Sequence, residues 1–192
     1  YQLEFPKHIS VLKVASEFSK DPNIEYAEPV PIKYPAHEPN DPLYSQLWFL
    51  PKIQAPLAWD IHRGEDGDSA IVLSITDTGC KFVHPDIAEN IWNNLGEDFD
   101  SDGHTFEWNG SSWVFDPGDI NNIDDDGNGF VDDLIGWNFF NNNNNPNDVS
   151  GHGTSVSGIV NGTTNNNQGI ASISYNLELM PVAGLDYNSI IY

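Results

Sequence analysis

The chain has 192 residues, with 7 Lys or Arg against 29 Asp or Glu and a formal charge of −22. A chain of this length buries one full core plus a small appendage. No Lys or Arg follows Lys81 while 17 carboxylates do, which excludes a phosphate-binding basic surface there, argues against nucleic acid as a partner, and points to cation binding or a salt-tolerant surface.

Residues 1–30 read as a small α+β unit. Residues 2–5 are patterned as a strand, and Ser10 is placed to cap a helix whose apolar Val11, Val14, Ala15 and Phe18 recur opposite Lys13, Glu17 and Lys20. Asp21-Pro22-Asn23 ends that helix, and Ile24, Tyr26 and Glu28 begin an alternating stretch. The proline-rich segment 31–39 is an extended, exposed linker and the expected processing region. From residue 40 the composition becomes that of a globular domain. Residues 55–61 read as a short helix with Pro56 in its first turn, where a missing N–H costs nothing. The apolar run 70–75 has the character of a strand covered on both faces, and it stops at Asp77-Thr78-Gly79. Residues 85–94 are expected to be helical and 96–150 loop-rich. Residues 152–161 form a helix with Val156, Ile159 and Val160 on one face beside small Ser155, Ser157 and Gly158, and 177–182 supply another strand. Strand, helix, strand implies an α/β domain with parallel pairing.

No run of about 20 apolar residues is present, so no membrane-spanning helix is expected. The single Cys80 excludes an intramolecular disulfide framework. The tract 141–145 reads as a flexible insertion without a function. Asn109-Gly110-Ser111 and Asn161-Gly162-Thr163 match the N-glycosylation pattern, a weak signal in so Asn-rich a chain.

Two constellations can carry chemistry. Asp77 ends a strand where open α/β sheets place their sites, and a half-buried carboxylate there needs a partner. His152, set between Gly151 and Gly153 at a helix start, can supply it. A carboxylate that holds one ring N–H leaves the other nitrogen to take a proton from a hydroxyl. Taken singly, Asp-Thr-Gly is equally a turn, and a His after Gly is equally a helix cap. The second constellation is the acidic stretch 122–133. Asn122, Asp124 and Asp126 stand at alternate positions, Gly127 and Asn128 follow, and Asp133 closes a twelve-residue loop. That pattern fits a Ca²⁺ loop, with Asn122 where Asp is usual and Asp133 in place of a bidentate Glu. A solvated acidic turn is the plainer alternative, although five clustered aspartates without a cation would repel one another. Only one copy of the loop is legible.

Asp77-Thr78-Gly79, His84-Pro85-Asp86 and the run from Gly151 to Gly158 closely resemble the aspartate and histidine motifs of subtilisin-like serine proteases. Asn40-Asp41-Pro42, Ile53-Gln54-Ala55-Pro56 and Ala58-Trp59-Asp60 resemble the mature amino terminus of the thermitase-like branch. The resemblance covers residues 40–183, and 1–30 is similar to the end of the family's inhibitory propeptide. It implies an α/β, parallel-sheet, three-layer domain, here incomplete and spanning 40–192. It implies a secreted serine endopeptidase precursor, monomeric, acting on protein or peptide substrates and bound by its own propeptide. Asp77 would be the orienting acid and His152 the base, with His84 a structural neighbour and Cys80 a small buried hydrophobe. The family's nucleophile lies in a Gly-Thr-Ser-Met-Ala-like segment further downstream than Tyr192. Gly153-Thr154-Ser155 belongs to the histidine motif, so these 192 residues alone are expected to be inactive. The resemblance also implies a second structural Ca²⁺ site from Asp41, Asp86 and Asn166 with main-chain oxygens near Thr163, Gln168 and Ile170. An aspartic protease also uses Asp-Thr-Gly but needs two such carboxylates, and a nonenzymatic calcium-binding adhesion module would repeat its loop.

Overall fold

A computed structural model describes residues 9–28, 38–63 and 71–184. The chain divides into two compact units, Tyr1–Ala36 and His37–Tyr192. The expected strand at 2–5 and most of the linker at 31–39 lie outside the described residues.

In the first unit, helix α1 (Val11–Phe18) starts where Ser10 accepts the Lys13 amide at 3.4 Å. Lys20 pairs with Glu17 at 2.6 Å on an exposed face, a contact of little stabilising value. Residues 24–28 form no strand. Their alternation finds no ladder among the described residues, and Tyr26 is exposed.

The second unit begins with two short helices, α2 (Phe49–Lys52) and α3 (Ala55–Trp59). Strand β1 (Val72–Asp77) follows, then the hairpin β2 (Phe106–Trp108) and β3 (Trp113–Phe115). Strand β4 (Trp137–Asn138), helix α4 (His152–Asn161) and strand β5 (Glu178–Ala183) complete it. The main sheet has the order β1-β5-β4 and is parallel throughout, in register from Val72 opposite Glu178 to Asp77 opposite Ala183. This is a mixed α/β arrangement consistent with part of a subtilisin-like domain. Parallel pairing puts the carboxyl ends of all three strands at one edge, and Asp77 is the last residue of β1 there.

Several expectations change. Strand β1 is not covered on both faces: Val72, Ser74 and Thr76 are exposed while Leu73 and Ile75 are half-buried, because β1 lies at the margin of the described sheet with β5 as its one neighbour. Residues 85–94 are not an α-helix. Only Ala88–Asn90 form a 3-10 turn, and the chain then extends so that Ile91 bridges Leu179 and the Trp92 amide bonds the Leu179 carbonyl. The loop-rich span contains the β2–β3 hairpin, whose signal was the Asn-Gly turn between aromatic residues. Asn109 Oδ1 there accepts the Ser111 and Ser112 amides at 3.0 Å each. The asparagine tract is a built turn rather than a loose insertion. Asn138 and Asn143 exchange two backbone hydrogen bonds, and the Asn138 side chain holds both the Asn141 amide and the Asn145 carbonyl. Asn161 is fully buried and bonded to Leu177 and Ser174, which removes it as a glycosylation acceptor.

One core gathers Cys80, Phe82, Ile87, Ile91, Phe106, Leu134 and Leu179 beneath the sheet, with Ile75, Trp113 and Phe115 against it. Phe106 stacks on Trp113 across the hairpin at 5.4 Å and meets Phe82 edge-on at 5.7 Å, so aromatic contacts fasten the hairpin to the segment that follows β1. A second cluster of Leu50, Ala55, Trp59, Ala171 and Tyr175 anchors the amino-terminal segment of this unit.

Candidate functional site

The carboxyl edge of the sheet brings Asp77 and His152 together across 75 residues of sequence: His152 Nδ1 lies 2.7 Å from Asp77 Oδ1. Asp77 is fixed by β1 and by the Thr78 amide, which donates to the same oxygen at 2.7 Å. Burial pushes the Asp77 carboxyl up, but the His152 and Thr78 hydrogen bonds outweigh it and hold it below the ordinary carboxylate range. It is therefore ionised at neutral pH and suited to orient an imidazole. The His152 side chain is about half exposed (51%) while that of Asp77 is nearly covered (11%), so the ring has one nitrogen on the acid and a face open to an approaching group.

Two glycines permit this approach. A Cβ on Gly153 would fall 2.0 Å from the Gly79 carbonyl oxygen and 3.1 Å from Asp77 Oδ1. Gly79, at φ +105°, would place a Cβ 2.4 Å from the Pro146 carbonyl oxygen. The buried stripe of α4 is made of Gly153, Ser157, Gly158 and Asn161. Ser155, expected to aid packing, is exposed and returns its hydroxyl to the Gly151 carbonyl at 2.8 Å, and Ile159 is also exposed. Among the described residues, no serine hydroxyl bonds the His152 ring.

Sequence reading missed Asp148. Gly151 at the start of α4 has no side chain to cap the helix, and Asp148 supplies the acceptor. Its Oδ2 takes the Thr154 amide at 2.9 Å and hydroxyl at 2.6 Å, while its Oδ1 takes the Ser150 amide at 2.8 Å and the Thr78 hydroxyl at 2.9 Å. Burial pushes Asp148 up, but these donors outweigh it and draw the carboxyl down to about 2. Thr78 Oγ1 also accepts the Gly153 amide at 2.9 Å. Thus one carboxylate and one hydroxyl join the end of β1 to the start of α4. The signal for it was an Asp shortly before a helix start.

His84 is a local support: its Nδ1 accepts the Asp86 amide at 3.1 Å. Cys80 is buried, and burial pushes its thiol up to about 11, so it is inert.

The acidic stretch folds around a different kind of centre. Oxygens of Asp126, Asp133 and the unforeseen Glu97 lie within 4.8 Å of one another. Asn94 and Asn128 side chains donate to both Asp126 and Asp133. Asp124 turns its two oxygens to the Asn128 and Gly129 amides at 3.0 and 2.8 Å. Asn122, at φ +63°, enters through its amide, which both oxygens of Asp132 accept. Glu97 Oε1 accepts the Asp125 and Asp126 amides at 3.0 and 3.2 Å, and its buried Oε2 has no partner. Burial pushes the Glu97 and Asp133 carboxyls up.

Asp41, Asp86 and Asn166 also meet. Asp41 Oδ2 accepts the Asn165 amide at 2.8 Å, and its buried Oδ1 has no partner. Asp86 takes the Asn166 side chain at 3.0 Å and the Ile170 amide at 2.9 Å. A Cβ on Gly169 would fall 2.0 Å from Asp86 Oδ2, so that carboxylate lies flat on the loop backbone.

Residues 68–190 match the model of the Subtilase family. Subtilisin-like protease 1 of Plasmodium falciparum (isolate 3D7) is 37% identical over 114 residues, covering 59% of this chain and 14% of that protein. Thermitase of Thermoactinomyces vulgaris is 30% identical over 151 residues, 78% of this chain and 38% of that protein. Thermophilic serine proteinase of Bacillus sp. (strain AK1) is 27% identical over 180 residues, 93% of this chain and 34% of that protein. The chain thus spans well under half the length of these relatives.

Proposed function

Because the chain belongs to the subtilase family, we propose that the protein it forms part of is a serine endopeptidase in which Asp77 orients and His152 transfers the proton. The observation that carries the reading is the 2.7 Å contact between Asp77 Oδ1 and His152 Nδ1. With one ring nitrogen held by an ionised acid, the other accepts the proton of a serine hydroxyl as it attacks a peptide carbonyl, then returns it to the departing amine. Asp77 stabilises the imidazolium formed between those steps, and Asp148 positions the histidine by holding the start of α4. The serine belongs to a segment outside these 192 residues, so this chain alone holds two of the three groups. In this reading the precursor is secreted, works as a monomer on protein or peptide substrates, and uses residues 1–30 as the end of its own propeptide.

Ca²⁺ is proposed as a structural ion at two places. The donors fit: all are oxygens, and the partnerless Glu97 Oε2 and Asp41 Oδ1 are buried acceptors in want of a cation. Asp124, Asp126, Asn128 and Asp133, with Glu97 and Asn122 beside them, would hold one ion, and Asp41, Asp86 and Asn166 the other. Bound only by the folded state, the ions would stabilise it by mass action.

The test is hydrolysis of a peptide substrate by the complete protein and by its Asp77→Asn variant. A variant as fast as the parent would sink the reading. In parallel, the 192-residue chain is expected to take up no serine-directed phosphonate, and stoichiometric labelling of any of its serines would overturn the assignment of the nucleophile to another segment.

A further inference from the structure

Residues 98–103 reproduce, 26 positions upstream, the loop built at 124–129. Asp98 Oδ1 accepts the Asp102 amide at 3.2 Å and its Oδ2 the Gly103 amide at 2.9 Å, as Asp124 does with Asn128 and Gly129. Asp100 accepts the Asp102 amide, as Asp126 accepts that of Asn128. Ser101 and Gly103 adopt φ of +63° and +93°, matching +72° and +98° at Gly127 and Gly129. Such a turn is no site by itself. What takes it further is Asp119, a fully buried residue from beyond the hairpin. Its Oδ1 accepts the Phe99 and Asp100 amides at 2.8 and 3.4 Å. Its buried Oδ2 has no partner. Glu97 stands in the same relation to the later loop, with one oxygen on the second and third loop amides and the other orphaned.

The carboxylates converge. Oxygens of Asp98, Asp100 and Asp119 lie within 4.8 Å of one another, as do those of Asp100, Asp102 and Asp116. Gly118 makes room, since a Cβ there would sit 2.2 Å from Asp100 Oδ2. No Lys or Arg occurs anywhere in 82–192 to neutralise this charge. We infer that Asp98, Asp100, Asp102, Asp116 and Asp119 form a further Ca²⁺ site that clasps the two ends of the β2–β3 hairpin. Hard oxygen donors, all of them carboxylates, suit Ca²⁺ over a metal that prefers nitrogen or sulfur. The loop is therefore present twice, but this does not restore an adhesion module. The hairpin between its halves is packed into the core through Phe106 and Phe115 and lies inside the family match.

This inference does not depend on the peptidase reading. Its test is calorimetric titration of Ca²⁺ into the 192-residue chain, comparing Asp100→Asn with Asp126→Asn. Each variant is expected to lose a different equivalent, or to bind it at least tenfold more weakly, and the double variant to lose both. Hydrogen exchange on the unaltered chain needs no substitution: saturating Ca²⁺ should slow the amides of 98–104 at least tenfold. Unchanged binding by a folded Asp100→Asn, or unchanged exchange at 98–104, overturns the site.

Discussion

The carboxylates at the sheet edge and those of the acidic loops are both withdrawn from water, Asp148 half-buried and Glu97 and Asp119 fully so, and they behave in opposite ways. Asp77 and Asp148 face an imidazole, hydroxyls and helix-start amides, and their carboxyls are held below the usual range. Glu97 and Asp133 face each other and Asp126, Asp119 faces Asp98 and Asp100, and burial drives the Glu97, Asp119 and Asp133 carboxyls up. At the first centre the protein provides its own donors, so the geometry stands by itself. At the second it provides acceptors with buried oxygens left over, so the arrangement calls for a charge from solution.

The widest separation of the two centres comes from function. Asp77→Asn in the complete protein should cost about 10⁴ in kcat, the scale for losing the acid that orients a catalytic histidine, with thermal stability read alongside. Loss of the fold together with activity would break the assignment. Chelation probes the other centre: stripping Ca²⁺ with EGTA should remove about 3 kcal/mol for each ion held at 100 times its Kd, a fall of several degrees in Tm. A melting curve indifferent to EGTA would remove the cation reading. Gly153→Ala should destabilise by about 1–3 kcal/mol, because the new methyl meets the Gly79 carbonyl and the structure must spread; chemical denaturation measures it, and a neutral result would mean that α4 and β1 are further apart. The smallest effect is Asp148→Asn, about 1 kcal/mol at pH 7, as for a lost helix cap. The Asp148 carboxyl is lowered by folding, so its contribution is present above the ordinary value of 3.8 and lost as pH falls toward about 2. The difference between parent and variant should accordingly shrink over that interval, and a difference constant with pH would contradict the capping role.

Elements whose signal is local could be read from the chain. The Ser10-capped helix, the strand ending at Asp77, the helix starting at His152 and the strand before Ala183 each carry a period and a terminator, and the meeting of Asp77 with His152 followed from two motifs together. What escaped was set by distant partners. The helix expected at 85–94 yields to extension because Ile91 and Trp92 bond the Leu179 backbone. Glu97 gave no sign of its role because its place beside Asp126 is made by the fold. The loop at 98–103 matches the same oxygen spacing as its later copy, yet its closing acids, Asp116 and Asp119, lie beyond a hairpin that interrupts the pattern.

The main sheet pairs Val72 with Glu178 and Asp77 with Ala183, segments about a hundred residues apart, so neither strand finds its neighbour until the intervening chain has contracted. That closure is costly and slow for a freely moving polymer. Both acidic loops and the hairpin between them lie inside it, and each short-range clasp formed there shortens the search that remains. Calcium would then act on the speed with which the polypeptide reaches its native state, as well as on how long it stays there.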